Sequence, residues 1–519
     1  MTIHAFRKSE SSKTHNQLVI QEALDKGAEF EENNVPNDAI AVYQQLLGKF
    51  PKCEEAITRI SLIFIRHCEL ENAIKSLRYH LTIADKKEVV HFNLAVAYAS
   101  AKKPDKAYEH YKKAIETEPS YIEPYFPLVK TAKVLAKMDD VKELVFEGLK
   151  HVPDKFTQYW MKGKFAIEQK DFDYAKTLFS AAQEAGSIKD QRAYFCTDFA
   201  NLENKLGHYN RAYDLHKKAQ NLYSKRDDAQ NISTSFYDDI VKKSRAWFTG
   251  QNIKNWEKKT FKGLNSPIFV VGFPRSGTTL VEQMLYAHPN LAVTEESPMF
   301  IRGIKHMTSI VGRQIPFPNG YKSLSKAEIK TWQTSYFKNI KTEIAETEQH
   351  LRIVDKNPMT IRQLGSVNRF FPQSPVLVMI RDPRDVCLSC FFQSFKPNVT
   401  TINFYDLAST FRLYAETMSL YLEFRESLSL NILEVKYEEM CQDIEGYARK
   451  IASHINEPFN DNMINYHDAQ FKRVVRTPSF EGVAQPIYSK AIGNWRNYEK
   501  YIKPLEPIIE PYLKAFGYK

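Results

Sequence analysis

The first half of the chain repeats its apolar pattern with a fixed period. Ala39, Ala73, Ala107, Val141 and Ala175 each sit inside an amphipathic stretch and stand 34 residues apart, and Ala212 follows after 37. Twelve residues before four of these anchors lie the small residues Ser61, Ala95, Gly163 and Ala200. Small side chains there allow two helices to cross closely. Twelve residues after three anchors come Pro51, Pro119 and Pro153, which end helices. The pattern predicts helix–turn–helix units over residues 16–225, after a tail at 1–15. Each unit can bury its apolar face only against its neighbours, so the array is expected to wind into a right-handed superhelix with a concave groove. Residues 226–262 predict a helical linker, with Phe236, Ile240, Trp247 and Trp256 at near-helical spacings. From residue 263 to the C-terminus the pattern changes. Short apolar runs at Pro267–Gly272, Arg352–Asp355, Pro375–Arg381 and Asn431–Lys436 alternate with helical stretches. This alternation predicts a parallel sheet with helices on both faces. The expected fold is an all-α superhelix followed by a P-loop-like α/β domain, with any ligand beyond the C-terminal ends of the strands.

The first of these strands runs into Gly272–Phe273–Pro274–Arg275–Ser276–Gly277–Thr278–Thr279, and a helix is predicted from about Gly277 through Leu285. Two glycines at G-x-x-x-x-G spacing make a loop whose backbone N–H groups surround an oxyanion at a helix N-terminus. A nucleoside triphosphatase places Lys after the second glycine to reach the β- and γ-phosphates. Here that position is Thr278, and the cation of the loop is Arg275. The loop suits an anion other than a β/γ-phosphate pair, which argues against a P-loop kinase or NTPase. A second anion site follows the strand Pro375–Ile380. Arg381 at the strand end can fork onto a phosphate. Ser389, two helical turns on, can face the same pocket, while Asp382 and Asp385 pair with arginines or cap the helix.

The 34-residue units resemble the tetratricopeptide repeat. The loop Phe273–Thr279 and the strand followed by Arg381–Asp382–Pro383–Arg384–Asp385 and Ser389 together resemble the sulfotransferase superfamily. Within it, the local sequence over about 265–500 is most similar to tyrosylprotein sulfotransferases and to tetratricopeptide-repeat sulfotransferases. The resemblance implies a donor, 3′-phosphoadenosine 5′-phosphosulfate, from which a sulfuryl group moves to an acceptor hydroxyl, with 3′-phosphoadenosine 5′-phosphate as product. It places Arg275, Ser276, Gly277, Thr278 and Thr279 around the 5′-phosphosulfate, and Arg381 and Ser389 on the 3′-phosphate. In Thr294–Glu295–Glu296–Ser297 it makes Glu296 the general base. Lys356, in Val354–Asp355–Lys356–Asn357–Pro358, neutralises charge on the transferring group, and Ser479 lies near the bridging oxygen. Tyr437 and the segment from Val483 to Trp495, including Gly493, cover the nucleotide. The chain departs from the family pattern at Gln393, where a basic residue is common, and at Asn494, where a lysine is common and Arg496 is the available substitute. Both departures concern the 3′-phosphate contacts.

Elementary chemistry agrees with these roles. Sulfuryl transfer needs fixed donors around the equatorial oxygens, cations at the bridging oxygen and a base on the acceptor. Arg275, Lys356 and the loop amides can supply the first two, and Glu296 the third. A sulfuryl group carries less charge than a γ-phosphoryl group, so a metal is dispensable and none is expected. Each residue also has a plainer reading: Glu295–Glu296 as a solvated pair, Lys356 as a surface lysine, His288 as a structural helix-end histidine.

Composition narrows the setting. The 519 residues imply more than one domain, and 43% hydrophobic with 26% charged content is ordinary for a soluble globular chain. A net charge of +10 favours anionic partners such as a nucleotide or an acidic peptide, or else serves solubility alone. No nucleic-acid partner is expected. No apolar run reaches membrane-spanning length, the N-terminus lacks a signal-peptide core, and a cytoplasmic location is expected. The six cysteines form no disulfide framework, and Cys387 and Cys390 read as packing residues despite their C-x-x-C spacing. The acceptor stays open among protein tyrosine, carbohydrate and small molecules. Arg302, Lys305 and Arg313 either bind acidic flanks of a peptide or are solvated charges. The groove either holds a peptide or protein or is only a scaffold. The competing reading is a repeat-based interaction protein with an inactive sulfotransferase-like domain.

Overall fold

The computed structural model describes residues 3–32, 35–67, 69–101, 103–186, 192–233, 235–253, 266–467 and 492–519. The chain divides into two compact units, Met1–Ile188 and Lys189–Lys519.

In the first unit successive helices pack together: Ile3–Glu32 with Pro36–Lys49, Glu54–Arg66 with Leu70–Ile83, and Lys87–Ser100 with Pro104–Thr117. Tyr125–Val134 with Met138–Gly148 and Lys155–Glu168 with Phe172–Ala185 continue the series. The anchors Ala39, Ala73, Ala107, Val141 and Ala175 are all 0% exposed, so the 34-residue period marks the line along which helices meet. At Gly163 an added Cβ would lie 2.8 Å from the Phe179 ring, which is why the paired position must stay small. The proline stops fall where expected: Lys49, Thr117 and Gly148 end helices shortly before Pro51, Pro119 and Pro153.

The second unit is built on a five-stranded sheet in the order β2–β3–β1–β4–β5, parallel throughout. The strands are β1 (Ile268–Gly272), β2 (Leu291–Val293), β3 (Arg352–Lys356), β4 (Pro375–Ile380) and β5 (Asn431–Lys436). Four of them coincide with the apolar runs in the sequence. The edge strand β2 has three residues, too short to show a period. Alternate residues of β1 enter different cores: Phe269 and Val271 pack with Phe300, Trp332 and Phe371 on one face, Ile268 and Val270 with Val281, Leu285 and Ile451 on the other. A sheet covered on both faces has uninterrupted apolar strands, which is how β1 and β4 read.

The order of the strands places the site. β1 has β3 on one side and β4 on the other, with Val270 level with Lys356 and Gly272 level with Met379. Parallel neighbours bring the residues after Gly272, the end of β3 and the residues after Ile380 to one edge of the sheet, beside the switch in strand order.

Two segments of helical character belong to this second unit. The helix pair Arg192–Lys205 and Tyr209–Ser224 carries Ala200 and Ala212, both fully buried. Its Gln220 Nε2 donates to the carbonyls of Phe391 and Gln393, Tyr223 OH donates to Ser394 Oγ at 2.8 Å, and Asn204 Oδ1 accepts from Tyr498 OH at 2.6 Å. From the helix Ser235–Trp247 and the residue after it, Val241 and Phe248 enter the main core. Trp256 lies outside the described residues. Among the described residues no helix is long and apolar enough to cross a membrane.

Candidate active site

The loop after β1 turns on residues with unusual backbone. Arg275 has φ 70° and Gly277 φ 101°, both left-handed, and Gly277 caps the helix Thr278–Tyr286. A Cβ on Gly277 would come within 2.5 Å of the Tyr437 ring, so glycine is required for space as well as for φ. Cys390 Sγ donates to the carbonyl of Pro274 at 3.3 Å, fastening the loop to the helix Pro383–Phe391. Burial pushes the thiols of both Cys387 and Cys390 up, consistent with packing roles. Ser276, Thr278 and Thr279 are at most 5% exposed, and Ser276 Oγ is buried without a hydrogen-bond partner among the described residues. An orphaned hydroxyl inside an anion-shaped loop fits a site built for a bound oxyanion.

The two anion segments meet. Arg275 Nε donates to Ser389 Oγ at 3.0 Å, and Arg381 Nη1 donates to the Arg275 carbonyl at 3.1 Å. Arg381 lies 4.7 Å over the Tyr437 ring, the ring that also backs Gly277. Two guanidinium groups thus share one small space. Burial lowers the Arg275 guanidinium, and the neighbouring Arg381 charge acts in the same direction. An arginine stays charged under such shifts, so the cluster is a fixed cationic cradle.

Asp382 and Asp385 do both things expected of them. Asp382 caps the helix by accepting from Arg384 N at 2.9 Å, and its carboxylate also pairs with the Arg384 guanidinium at 2.8 Å. Asp385 is 1% exposed and 4.0 Å from Arg381. It accepts from Gly493 N at 2.6 Å and Trp495 N at 2.8 Å. Burial holds its carboxyl above the ordinary value, against the pull of Arg381 and these two N–H groups. Gly493 is thereby brought to the cluster. Arg496 is exposed, with its guanidinium 5.0 Å from the Trp495 ring. Ser479 and residues 483–491 lie outside the described residues.

The second half of the site stands at the end of β3. Lys356 is 0% exposed, so it is no surface lysine. Its Nζ lies 2.8 Å from Glu282 Oε2 and 3.4 Å from Glu296 Oε1. Burial alone would lower the ammonium; Glu282 and Glu296 outweigh it and hold it above its ordinary value. Glu296 is half exposed and has φ 50°, a left-handed backbone that costs free energy at a non-glycine residue. It is held from both sides. Thr294 donates through N and Oγ1 to the Val354 carbonyl, and Asn357 Nδ2 donates to the Ser297 carbonyl at 2.8 Å. The neighbouring Asp355 points to the other side of the strand and accepts from Tyr336 OH at 2.8 Å.

His288 has a structural role. Its Nδ1 accepts from Asn290 N at 3.2 Å, so Nε2 carries the hydrogen donated to the Pro458 carbonyl at 2.9 Å. Arg313 is committed to Glu328 and Ser323 at the start of a helix. Sequence reading missed Glu282. The available signal was its place one helical turn beyond Thr278, as the one charged residue of the helix Thr278–Tyr286.

Residues 267–461 match the Sulfotransferase family model, and residues 89–121 match the Tetratricopeptide repeat model. An uncharacterized protein of Aquifex aeolicus is 23% identical over 408 residues, which cover 78% of this chain and 52% of that protein. The chain thus spans about half the length of that relative. Protein-tyrosine sulfotransferase A of Caenorhabditis elegans is 24% identical over 273 residues, covering 48% of this chain and 67% of that protein. Among solved structures, the sulfotransferase domain of the Synechococcus PCC 7002 olefin synthase matches 47% of this chain and 91% of its own, at 19% identity and a TM-score of 0.34. The chain carries a sulfotransferase-family domain together with a tetratricopeptide repeat, and its second half is similar to the protein-tyrosine sulfotransferases.

Proposed function

We propose that the second unit transfers a sulfuryl group from 3′-phosphoadenosine 5′-phosphosulfate to an acceptor hydroxyl, with tyrosine of a protein or peptide as the favoured acceptor. The observation that carries this reading is the meeting of the Gly272–Gly277 loop, the Arg275–Ser389–Arg381 cluster and the Lys356–Glu296 pair at one edge of the sheet. Arg275, Ser276, Gly277, Thr278 and Thr279 bind the 5′-phosphosulfate through loop amides, hydroxyls and one guanidinium. Arg381 and Ser389 hold the 3′-phosphate, with Tyr437 and Gly493 beside the nucleotide and Arg496 and Ser479 as further contacts.

The chemistry follows from the charges. The acceptor O–H gives its proton to the Glu296 carboxylate as the new S–O bond forms. The bond between sulfur and the phosphate oxygen breaks, and its electron pair stays on that oxygen. Lys356 and Arg275 offset the charge that develops there. The products are the sulfated acceptor and 3′-phosphoadenosine 5′-phosphate. The family name of the relatives supports tyrosine as acceptor, and the repeats offer a surface for the protein that carries it.

The test is a calorimetric titration with 3′-phosphoadenosine 5′-phosphate, set against ADP with Mg²⁺. Micromolar binding of the 3′-phosphorylated nucleotide alone is the expected result. Absence of binding removes the donor and favours an interaction protein with an inactive domain. Binding of ADP only with Mg²⁺ favours an NTPase.

A further inference from the structure

Glu282 has no part in the proposed chemistry, yet it is one of the most deeply buried charges in the protein. It stands on the Thr278–Tyr286 helix, past the first turn, where the helix dipole no longer favours a carboxylate. Its side chain is 2% exposed. Burying a carboxylate costs several kcal/mol unless a partner offsets it. Lys356 is such a partner, at 2.8 Å. Lys356 depends on Glu282 in turn. A buried lysine without a counter-charge gives up its proton. The carboxylates that face Lys356 are Glu282 from the helix and Glu296 and Glu295 from the segment after β2. The Glu296 contact is longer, 3.4 Å, and half exposed, where water weakens it. Glu282 is therefore the resident counter-ion.

Resting on the donor site proposed above, we propose that Glu282 is a positioning residue: from the helix that carries the anion loop it keeps Lys356 charged and in place, leaving the Glu296 carboxylate for the acceptor proton. An ammonium has three N–H donors. Glu296 accepts one of them at 3.4 Å and Glu282 pairs with the ammonium charge at 2.8 Å, so the ammonium can also donate to the oxygen between phosphorus and sulfur. Because Glu282 and Thr278 lie one turn apart on one rigid helix, the cation of β3 and the anion loop of β1 keep a fixed spacing.

The full-length protein is compared with Glu282→Gln, Glu282→Asp and the double variant Glu282→Gln/Lys356→Met. The first measurement is Tm against pH, from pH 7 to 10, without ligand. In Glu282→Gln the folded state binds a proton at Lys356 less readily than the unfolded chain, so its stability rises with pH relative to wild type. Its Tm deficit should narrow by about 2–4 °C over this range. Glu282→Asp should follow wild type, and the double variant should show no such slope. A Glu282→Gln deficit that is constant with pH describes a plain packing role and overturns the proposal.

The second measurement is 3′-phosphoadenosine 5′-phosphate titration at pH 8.5 in buffers of different ionisation heat. Glu282→Gln should take up more protons on binding than wild type, by up to one per site, and the double variant should lose that excess. Binding without the excess uptake overturns the proposal. If wild type fails to bind this nucleotide, the donor reading falls, and the ligand-free Tm profile alone decides whether Glu282 holds the charge on Lys356.

Discussion

Glu296 shows how one residue can be placed against its own backbone preference. Its left-handed φ is maintained by Thr294 and Ser297, each tied by hydrogen bonds to β3 or to the residue that follows it. Strain of this kind is kept where the direction of a side chain matters. Glu296→Gln preserves shape and removes the carboxylate proposed as the base. Sulfate transfer to a tyrosine-containing acidic peptide should fall by about 10²–10⁴-fold. Affinity for 3′-phosphoadenosine 5′-phosphate, measured by calorimetry, should stay near wild type. Equal turnover would place the base elsewhere. Asp355, one residue before Lys356, makes a different prediction. Burial holds its carboxyl up at about 7, against an ordinary 3.8, although the Tyr336 hydroxyl opposes the shift. The folded state therefore keeps this proton to higher pH than the unfolded chain does. Its contribution is present at low pH and is lost as pH rises from about 4 to about 7. Asp355→Asn does not titrate and can still accept from Tyr336. Its unfolding free energy, measured against pH, should decline less than that of wild type between pH 4.5 and 7.5, the difference growing by up to about 1.4 kcal/mol per pH unit. Parallel profiles would show that Asp355 is ionised in the folded protein.

At the scale of elements, the site is a joint between β1, its loop and the helices that start at Thr278 and Pro383. Gly277 is the point where the loop must turn left-handed and lie against Tyr437. Gly277→Ala should destabilise the protein by about 1–3 kcal/mol for the backbone alone. It should also displace the Tyr437 ring on which Arg381 rests, so donor affinity should fall beyond what the stability loss explains. Thermal unfolding and nucleotide titration of the same variant separate the two effects. Unchanged affinity would mean that Tyr437 is not part of the nucleotide site. The helix Pro383–Phe391 starts cleanly because Asp382 caps it and Pro383 occupies its first turn. That start also fixes Asp385, which fastens the backbone of Gly493 and Trp495.

At the scale of the molecule, the helix pair before the linker matters to the sheet domain. Gln220 holds the carbonyls of Phe391 and Gln393, at and just beyond the end of the helix that carries Ser389, and His216 stacks on Phe392 with ring centroids 4.0 Å apart. A fragment 189–519 should unfold cooperatively and bind 3′-phosphoadenosine 5′-phosphate. A fragment 263–519 lacks these contacts as well as Val241 and Phe248 of the core, and should lose both properties. Equal behaviour of the two fragments would make the helix pair dispensable. Much of the architecture was legible beforehand. The 34-residue period forecast buried anchors because a stacked helix array repeats its environment, and four strands were visible because a doubly covered parallel sheet leaves unbroken apolar runs. The anion loop was legible because glycine spacing and backbone geometry are local. Strand β2 was too short to show a pattern. Glu282 was hidden because a glutamate on a helix normally faces water, and only the crossing of that helix over β3 buries it against Lys356. Likewise, nothing local links Arg275 to Ser389 or Asp385 to Gly493; those contacts exist because β1 pairs with β4 and the chain returns at its end. By itself the sequence determined most of the elements, their order and the glycine-bounded loop after β1, since these rest on periodicity and backbone chemistry. Tertiary structure alone decided which charges are buried together, because a counter-ion more than 70 residues away is brought near only by the register of the sheet.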